Sequence, residues 1–339
     1  MSMNLAQARG YDQVLTQIAQ GYHDQGEYLG NFLAPVVPVH QRAGRYIKFG
    51  KEAFAAVDTL RAPMTSVGYV ESSFTHGTFN LEQHALGYRI AEELESEAKN
   101  GESKIDLRKL YIDDMMSRFQ RAHEVRTFGS MISTLDAATP DAFTAGTRNN
   151  TLVGNKLWNK ATADPILDML SIKQRVADVI GVEPNSGIIG SNVNVALAAY
   201  GTLPEKNNRF YGDPGRKNLL DMFGLKRGVK VASKQVLDSN GNLRYIFNPD
   251  AVLLFYSPVG SNTDSVLPSV SANMGAPSFG YTFQLKDYPK MTSERFNDEY
   301  RYYAAEIIAE RKVKVTAPEA AVYFTATNGN LASFPGVVV

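Results

Sequence analysis

Between Ser103 and Leu135 the chain has no proline and a single glycine, Gly129. Ile112, Met115, Phe119 and Ala122 fall at spacings of three and four, and Met116 widens that stripe. Phe128, Ile132 and Leu135 continue it after a drift. Such spacing predicts an amphipathic helix. At 1.5 Å per residue, about 30 residues give a rod of roughly 45 Å, well beyond the mean globular helix. Any fold for this chain has to accommodate that rod.

The region before it reads as β structure. Residues 44–90 alternate in period two with weak hydrophobicity, as in Tyr46, Lys48 and Gly50 against Ile47 and Phe49, or Phe79, Leu81 and Gln83 against Asn80, Glu82 and His84. This pattern predicts a two-stranded ribbon exposed on both faces. A ribbon alone is marginal in water, so something else must hold it, and a neighbouring subunit is one candidate. Upstream, glycines at 10, 21, 26 and 30 interrupt the first forty residues. Pro35 and Pro38 then frame an apolar extended segment suited to a sheet edge. It is either an arm lying across another surface or an ordinary N-terminal strand.

After the rod, strands and helices alternate around an expected central sheet. Asp164-Pro165 opens a helix, with Asp as N-cap and Pro at the first position, and Ile166, Leu170, Lys173, Val176, Ala177 and Ile180 carry it to Gly181. Ile188-Ile189 is a short buried strand. Ser191 or Asn192 caps the next helix, running through Val195, Ala198 and Ala199 to Tyr200. Leu219–Phe223 is a short helix, Val229–Val231 a strand, and residues 251–256 a fully buried strand. Asn240-Gly241 supplies a positive-φ pair to a hairpin turn. Near the C-terminus, alternation from Tyr300, a strand over Glu306–Val315 and another over Ala321–Thr325 return to β structure. The apolar tail Leu331–Val339 is expected to dock on something.

Composition and motifs exclude several chemistries. The chain has no cysteine, which removes disulfides, thiolate metal sites and a cysteine nucleophile. Its 35 basic and 35 acidic residues cancel, unlike the basic excess of a dedicated nucleic-acid binder. No run approaches 18 apolar residues. There is no nucleotide-binding glycine fingerprint, no GxSxG nucleophile elbow and no HExxH. The five histidines, at 23, 40, 76, 84 and 123, form no i,i+4 pair. No catalytic residue, metal ligand or cofactor is therefore expected.

The cancelled charge is unevenly placed. Arg42, Arg45, Lys48, Lys51 and Arg61 dominate residues 40–62. Glu92, Glu93, Glu95 and Glu97 begin an acidic stretch just before the rod. Either these two regions meet, within or between subunits, and set register by charge, or they are two solvated faces.

The order of parts resembles the tailed-bacteriophage major capsid proteins, whose fold is named for the Hong Kong 97 phage. The resemblance runs through Phe32-Leu33-Ala34-Pro35-Val36-Val37-Pro38-Val39 and Gly44-Arg45-Tyr46-Ile47-Lys48-Phe49. It continues in Leu157-Trp158 leading to Asp164-Pro165-Ile166-Leu167-Asp168, then Pro184-Asn185 and Ile188-Ile189-Gly190. It ends in Val252-Leu253-Leu254-Phe255-Tyr256, Pro277–Thr282 and the strand from Tyr300. The resemblance implies an α+β fold with an N-terminal arm over 1–45, an extended β loop over 46–90 and a C-terminal tail over 327–339. It implies a peripheral domain of 91–155 with 297–326, and an axial domain of 156–296. It implies a structural protein that assembles with copies of itself, as hexamers and pentamers, into an icosahedral head around double-stranded DNA contacted non-specifically. Assembly in the host cytoplasm, a separate scaffolding protein, a portal and a decoration protein are the implied partners, with no membrane. The alternative is an encapsulin shell around enzyme cargo. The family's Lys–Asn crosslink would need Lys48 or Lys51 to meet Asn328 or Asn330, and nothing in the sequence brings them together.

Overall fold

A computed structural model describes residues 28–48, 75–100, 107–136, 149–152, 156–160, 162–201, 223–238, 240–257 and 278–328. The first part of the arm, the loop centre with Lys51 and Arg61, Leu219 to Met222, and the apolar tail with Asn330 lie outside these residues. The chain starts with a one-turn helix α1 (Gly30–Leu33), then β1 (Val36–Val39), β2 (Ala43–Lys48), β3 (Thr75–Asn80) and β4 (Glu82–Ala91). Helices α2 (Glu92–Asn100) and α3 (Leu107–Asp136) follow, then β5 (Asn149–Thr151), α4 (Pro165–Ile180), β6 (Ser186–Gly190) and α5 (Ser191–Gly201). The remaining strands are β7 (Val229–Ala232), β8 (Gln235–Leu237), β9 (Leu243–Tyr245), β10 (Ala251–Phe255), β11 (Gly280–Leu285), β12 (Lys290–Met291), β13 (Arg295–Asn297), β14 (Tyr302–Val315) and β15 (Ala321–Thr325).

Two sheets organise these elements. In the six-stranded sheet, β14 pairs antiparallel with β4 on one edge and with β11, β12 and β13 along the other. The proline-framed segment β1 closes this sheet's edge, parallel to β11. It is thus a strand of its own subunit. Thr282 holds it twice, its backbone amide donating to Pro35 at 2.9 Å and its hydroxyl to Ala34 at 3.0 Å. The five-stranded sheet has the order β5-β15-β10-β6-β7, and β6 and β10 are buried at every position. Sheet membership departs from the expected boundary at 296/297. Strands β11, β12 and β13 join the sheet of β14, whereas β15 returns to the sheet of β10.

The 30-residue α3 matches the rod read from the sequence. Its drift has a structural cause. Met115, Met116 and Phe119 pack with Tyr88, Ile90, Met291 and Ile307 on the six-stranded sheet. Phe128, Met131 and Leu135 enter a different cluster, with Trp158, Val252, Phe255 and Phe324. At about 100° per residue the buried stripe moves roughly two fifths of the way around the helix between these contacts. One rod therefore spans both cores. Ahead of it, the acidic run is a separate helix, α2.

Several local readings need correction. In α4, Asp164 does cap, accepting from the Leu167 amide, and Gly181 closes the helix at φ 77°. Lys173 is buried on the expected face, but Met169 takes the place expected of Leu170, which is exposed. Lys173 is tolerated there because its ammonium donates to the Phe223 and Gly224 carbonyls, each at 3.3 Å. In α5, Val193, Ala196 and Leu197 are buried, while Val195 faces out. Neither Ser191 nor Asn192 caps that helix through its side chain. The Asn192 and Val193 amides donate to the Pro249 carbonyl instead. Among the described residues of the β8–β9 turn only Gly241 has positive φ, at 81°. The Asp238 carboxylate accepts from the Asn240 and Asn242 amides at 2.8 and 2.9 Å, which removes the need for a second such residue. The return strand starts at Tyr302, because Arg301 turns at φ 49°.

Gly190, between β6 and α5, has no room for a side chain: a Cβ there would lie 2.2 Å from the Pro249 oxygen. Gly190→Ala is expected to cost about 1–3 kcal/mol. The fluorescence of Trp158, the chain's only tryptophan and a buried one, would report the drop in denaturation midpoint.

Candidate functional site

The ribbon of β2 and β3 turns one face to solvent, and its attachment is built from aromatic rings. Gly44 faces Phe79 across the ribbon, and Tyr46 faces Gly77. Each ring lies over the opposite glycine, where a Cβ would come within 2.7 Å of Phe79 and 2.3 Å of Tyr46. Both rings then meet Phe283 of β11. Phe79 stacks on it at 4.5 Å between centroids, and Tyr46 lies at 5.4 Å. The ribbon is therefore half-covered. Its other face, with Arg45, His76, Thr78 and Asn80, is exposed. The expectation of two exposed faces fails because the glycines let rings fold flat against one side. The ribbon also ends at Asn80, since β4 leaves it to pair with β14.

The base of the ribbon is fixed by charge. Arg42 Nε and Nη2 grip Glu310 of β14 at 2.7 and 2.8 Å. Glu310 is buried, and this two-pronged contact satisfies both its oxygens.

A second knot ties α2 to the sheet. Arg108, at the start of α3, pairs with buried Glu95 of α2 and with Glu294 at 2.7 Å. Its guanidinium lies over the Tyr303 ring at 4.6 Å. Tyr88 donates to Glu294 at 3.3 Å. Burial, then the Glu294 charge, drive the Tyr88 phenol well above its usual range. Glu92 pairs with Arg301 at 2.9 Å.

The charged candidates therefore divide. Arg42, Glu92 and Glu95 have partners in their own subunit, and none of those partners joins the basic ribbon to the acidic helix. Arg45, Glu93 and Glu97 are exposed. Lys48 sits on β2 opposite Thr75. Lys51 and Arg61 fall outside the described residues. Sequence reasoning missed Phe283, Arg108, Glu294 and Glu310. One signal was available, the charged run Glu310-Arg311-Lys312 directly after the apolar Ile307-Ile308-Ala309. Alternation forces one of two adjacent charges toward each face. Glu310 and Arg311 are both buried here.

An apolar pair marks a further outward surface. Leu237 and Leu243 face each other across the β8–β9 hairpin and are 65% and 68% exposed. Among the described residues no three metal-ligating side chains cluster, and no helix is long and apolar enough to cross a membrane.

No family model matches the chain. The major capsid protein of Burkholderia phage BcepMu is 26% identical over 287 residues, covering 84% of this chain and 87% of that protein. The crystal structure of a phage-related protein from Bordetella bronchiseptica RB50 aligns with a TM-score of 0.71 at 24% identity, over 98% of this chain and all of that one. The capsid structure of cyanophage P-SCSP1u aligns at 0.56 with 12% identity, over 91% and 90%. The fold is that of a phage major capsid protein. The resemblance read from the sequence holds along nearly the whole chain, and the α+β class with it. Within this capsid fold, α3 is the long spine helix, the six-stranded sheet lies along its first half and the five-stranded sheet packs at its end.

A pH dependence follows from Glu124, on the face of the spine helix beneath α1. It is 2% exposed. Burial raises its pKa to about 7, against the opposing effects of the Leu29 amide and Lys234. The folded state thus holds this proton more tightly than the unfolded chain. The resulting stability is full below the ordinary value of 4.5 and is lost as pH rises to about 7. Across that window the denaturation midpoint should fall with rising pH relative to that of Glu124→Gln, a comparison that separates this group from His84 and His123, whose depressed pKa values act in the opposite direction. Separately, Arg42→Ala leaves Glu310 buried without that partner. It should cost about 1–3 kcal/mol in the same denaturation measurement.

Proposed function

We propose that this chain is a phage major capsid protein that assembles with copies of itself, as hexamers and pentamers, into an icosahedral head around double-stranded DNA. The observation that carries this reading is the 26% identity to a phage major capsid protein over most of both chains. The capsid fold supports it. The role is structural, with no catalytic step, and the place is the virion after assembly in the host cytoplasm.

The proposed division of labour follows the two sheets. The spine helix with β4 and β11–β14 forms the peripheral domain. The five-stranded sheet with α4 and α5 forms the axial domain, directed at the symmetry axes. Residues before β1 are the arm, and the loop spanning the ribbon lies on a neighbouring subunit. Two features support self-association: a ribbon with one bare polar face, and the exposed Leu237–Leu243 pair, which costs solvation unless covered. DNA is held without sequence preference, in keeping with zero net charge. A scaffolding protein, a portal and a decoration protein are the proposed accessory partners.

Expression of the chain with its genomic neighbours, followed by sedimentation and negative-stain imaging, should yield capsomers or closed shells. A subunit that stays monomeric under every condition contradicts the proposal. Deleting residues 52–70 should leave a folded protein, judged by Trp158 fluorescence, that no longer closes into shells. Normal shells from that deletion contradict the assigned role of the loop.

A further inference from the structure

One group in the subunit is buried without the partner that its chemistry demands. Arg311, on β14, is 5% exposed. Its Nε and Nη2 have no hydrogen-bond acceptor. Its guanidinium lies over the Phe119 ring of the spine helix, 4.7 Å from the centroid. Burial, reinforced by the nearby charge of Arg126, brings its pKa down to about 9. Around it stand Arg126 and His123 from the spine helix, His84 from β4 and Lys312 from β14. The carboxylate facing this group is Glu82, opposite Arg311 across the β4–β14 ladder, and it is held by Lys312. Burial and the arginines keep both histidines below their ordinary pKa, so they do not supply the missing anion or add to the charge near neutral pH.

A buried guanidinium without an acceptor is costly, and its desolvation is offset only when an anion reaches it. Arg126, whose charge acts on Arg311, is exposed. A carboxylate entering beside it could bridge Arg126 and Arg311.

We propose that the Arg311–Arg126 cluster is an anion-binding site that takes a carboxylate side chain from a second copy of this chain. It rests on the self-assembly proposed above. A second copy is favoured because this cluster is cationic while the chain as a whole carries as many acidic as basic residues. Glu93 and Glu97, exposed on α2, are carboxylates that such a copy can offer. The acidic run would then find its basic partner in the neighbouring subunit's sheet, with the ribbon uninvolved. A charge pair closed only on assembly would also fix the register between subunits.

The test uses Arg126→Lys, which keeps the charge while providing a reactive amine. Shells are assembled from a mixture of 14N- and 15N-labelled subunits, treated with a zero-length carbodiimide, digested and analysed by mass spectrometry. The expected product is an amide between the introduced amine at position 126 of one copy and a Glu or Asp of another, present in shells and absent from unassembled subunits. Intact shells with no intermolecular amide at position 126, or with an amide only to the same copy's Glu82, overturn the proposal. It is also overturned if Arg126→Glu shells assemble normally and lose only their hold on packaged DNA, which would assign the cluster to phosphate. Failure of the unmodified chain to form any shell would instead strike the assembly reading itself.

Discussion

A strand of fourteen residues cannot leave its amides and carbonyls unpaired inside a fold, and β14 meets that demand from four directions. Strand β4 runs along one edge for ten residue pairs, Tyr302–Ala91 to Arg311–Glu82. Strands β13, β12 and β11 divide the other edge. The strands of the six-stranded sheet are therefore placed by reference to β14. The spine helix lies across it through Phe119 and Met116. The ribbon is pinned to it through Arg42 and Glu310. The edge strand β1 reaches it through β11. Losing β14 would release all of these together, whereas the five-stranded core has its own buried centre in β6 and β10.

The spine helix makes the two halves one subunit. Its buried stripe rotates because its two ends face different sheets, with Met115 and Phe119 on one and Phe128 and Leu135 on the other. A helix with a fixed stripe could serve only one of them. In the proposed shell this continuity matters, since contacts made at one end can be carried as rigid displacement to the other. The ribbon works in the opposite sense. Its aromatic clamp on Phe283 fixes one face near the sheet and leaves the other free for a second molecule.

The sequence made the large elements legible because they are governed by local rules. The rod, the Asp164 cap and the buried β10 all rest on periodicity or capping chemistry that a single chain displays. The ribbon's pairing was legible too, but its half-burial was not. Nothing local says that Phe79 and Tyr46 will converge on Phe283, more than two hundred residues away in the chain. The partners of the described charged candidates were hidden for the same reason. Arg42 finds Glu310 and Glu95 finds Arg108, partners set by sheet register and helix placement. The helix cap at α5 comes from Pro249, a backbone carbonyl with no residue signature. That β11 joins the sheet of β14 and β15 that of β10 has no local signature, because strand partners follow topology.

The central claim is that the ribbon is clamped at its base to its own subunit and is completed by a neighbour. Electron cryomicroscopy of assembled particles tests it most directly. The account predicts that Phe79 and Tyr46 remain on Phe283 of their own chain, while density for residues 49–74 lies on an adjacent subunit. A particle in which that loop folds back over its own six-stranded sheet, touching no neighbour, would contradict it.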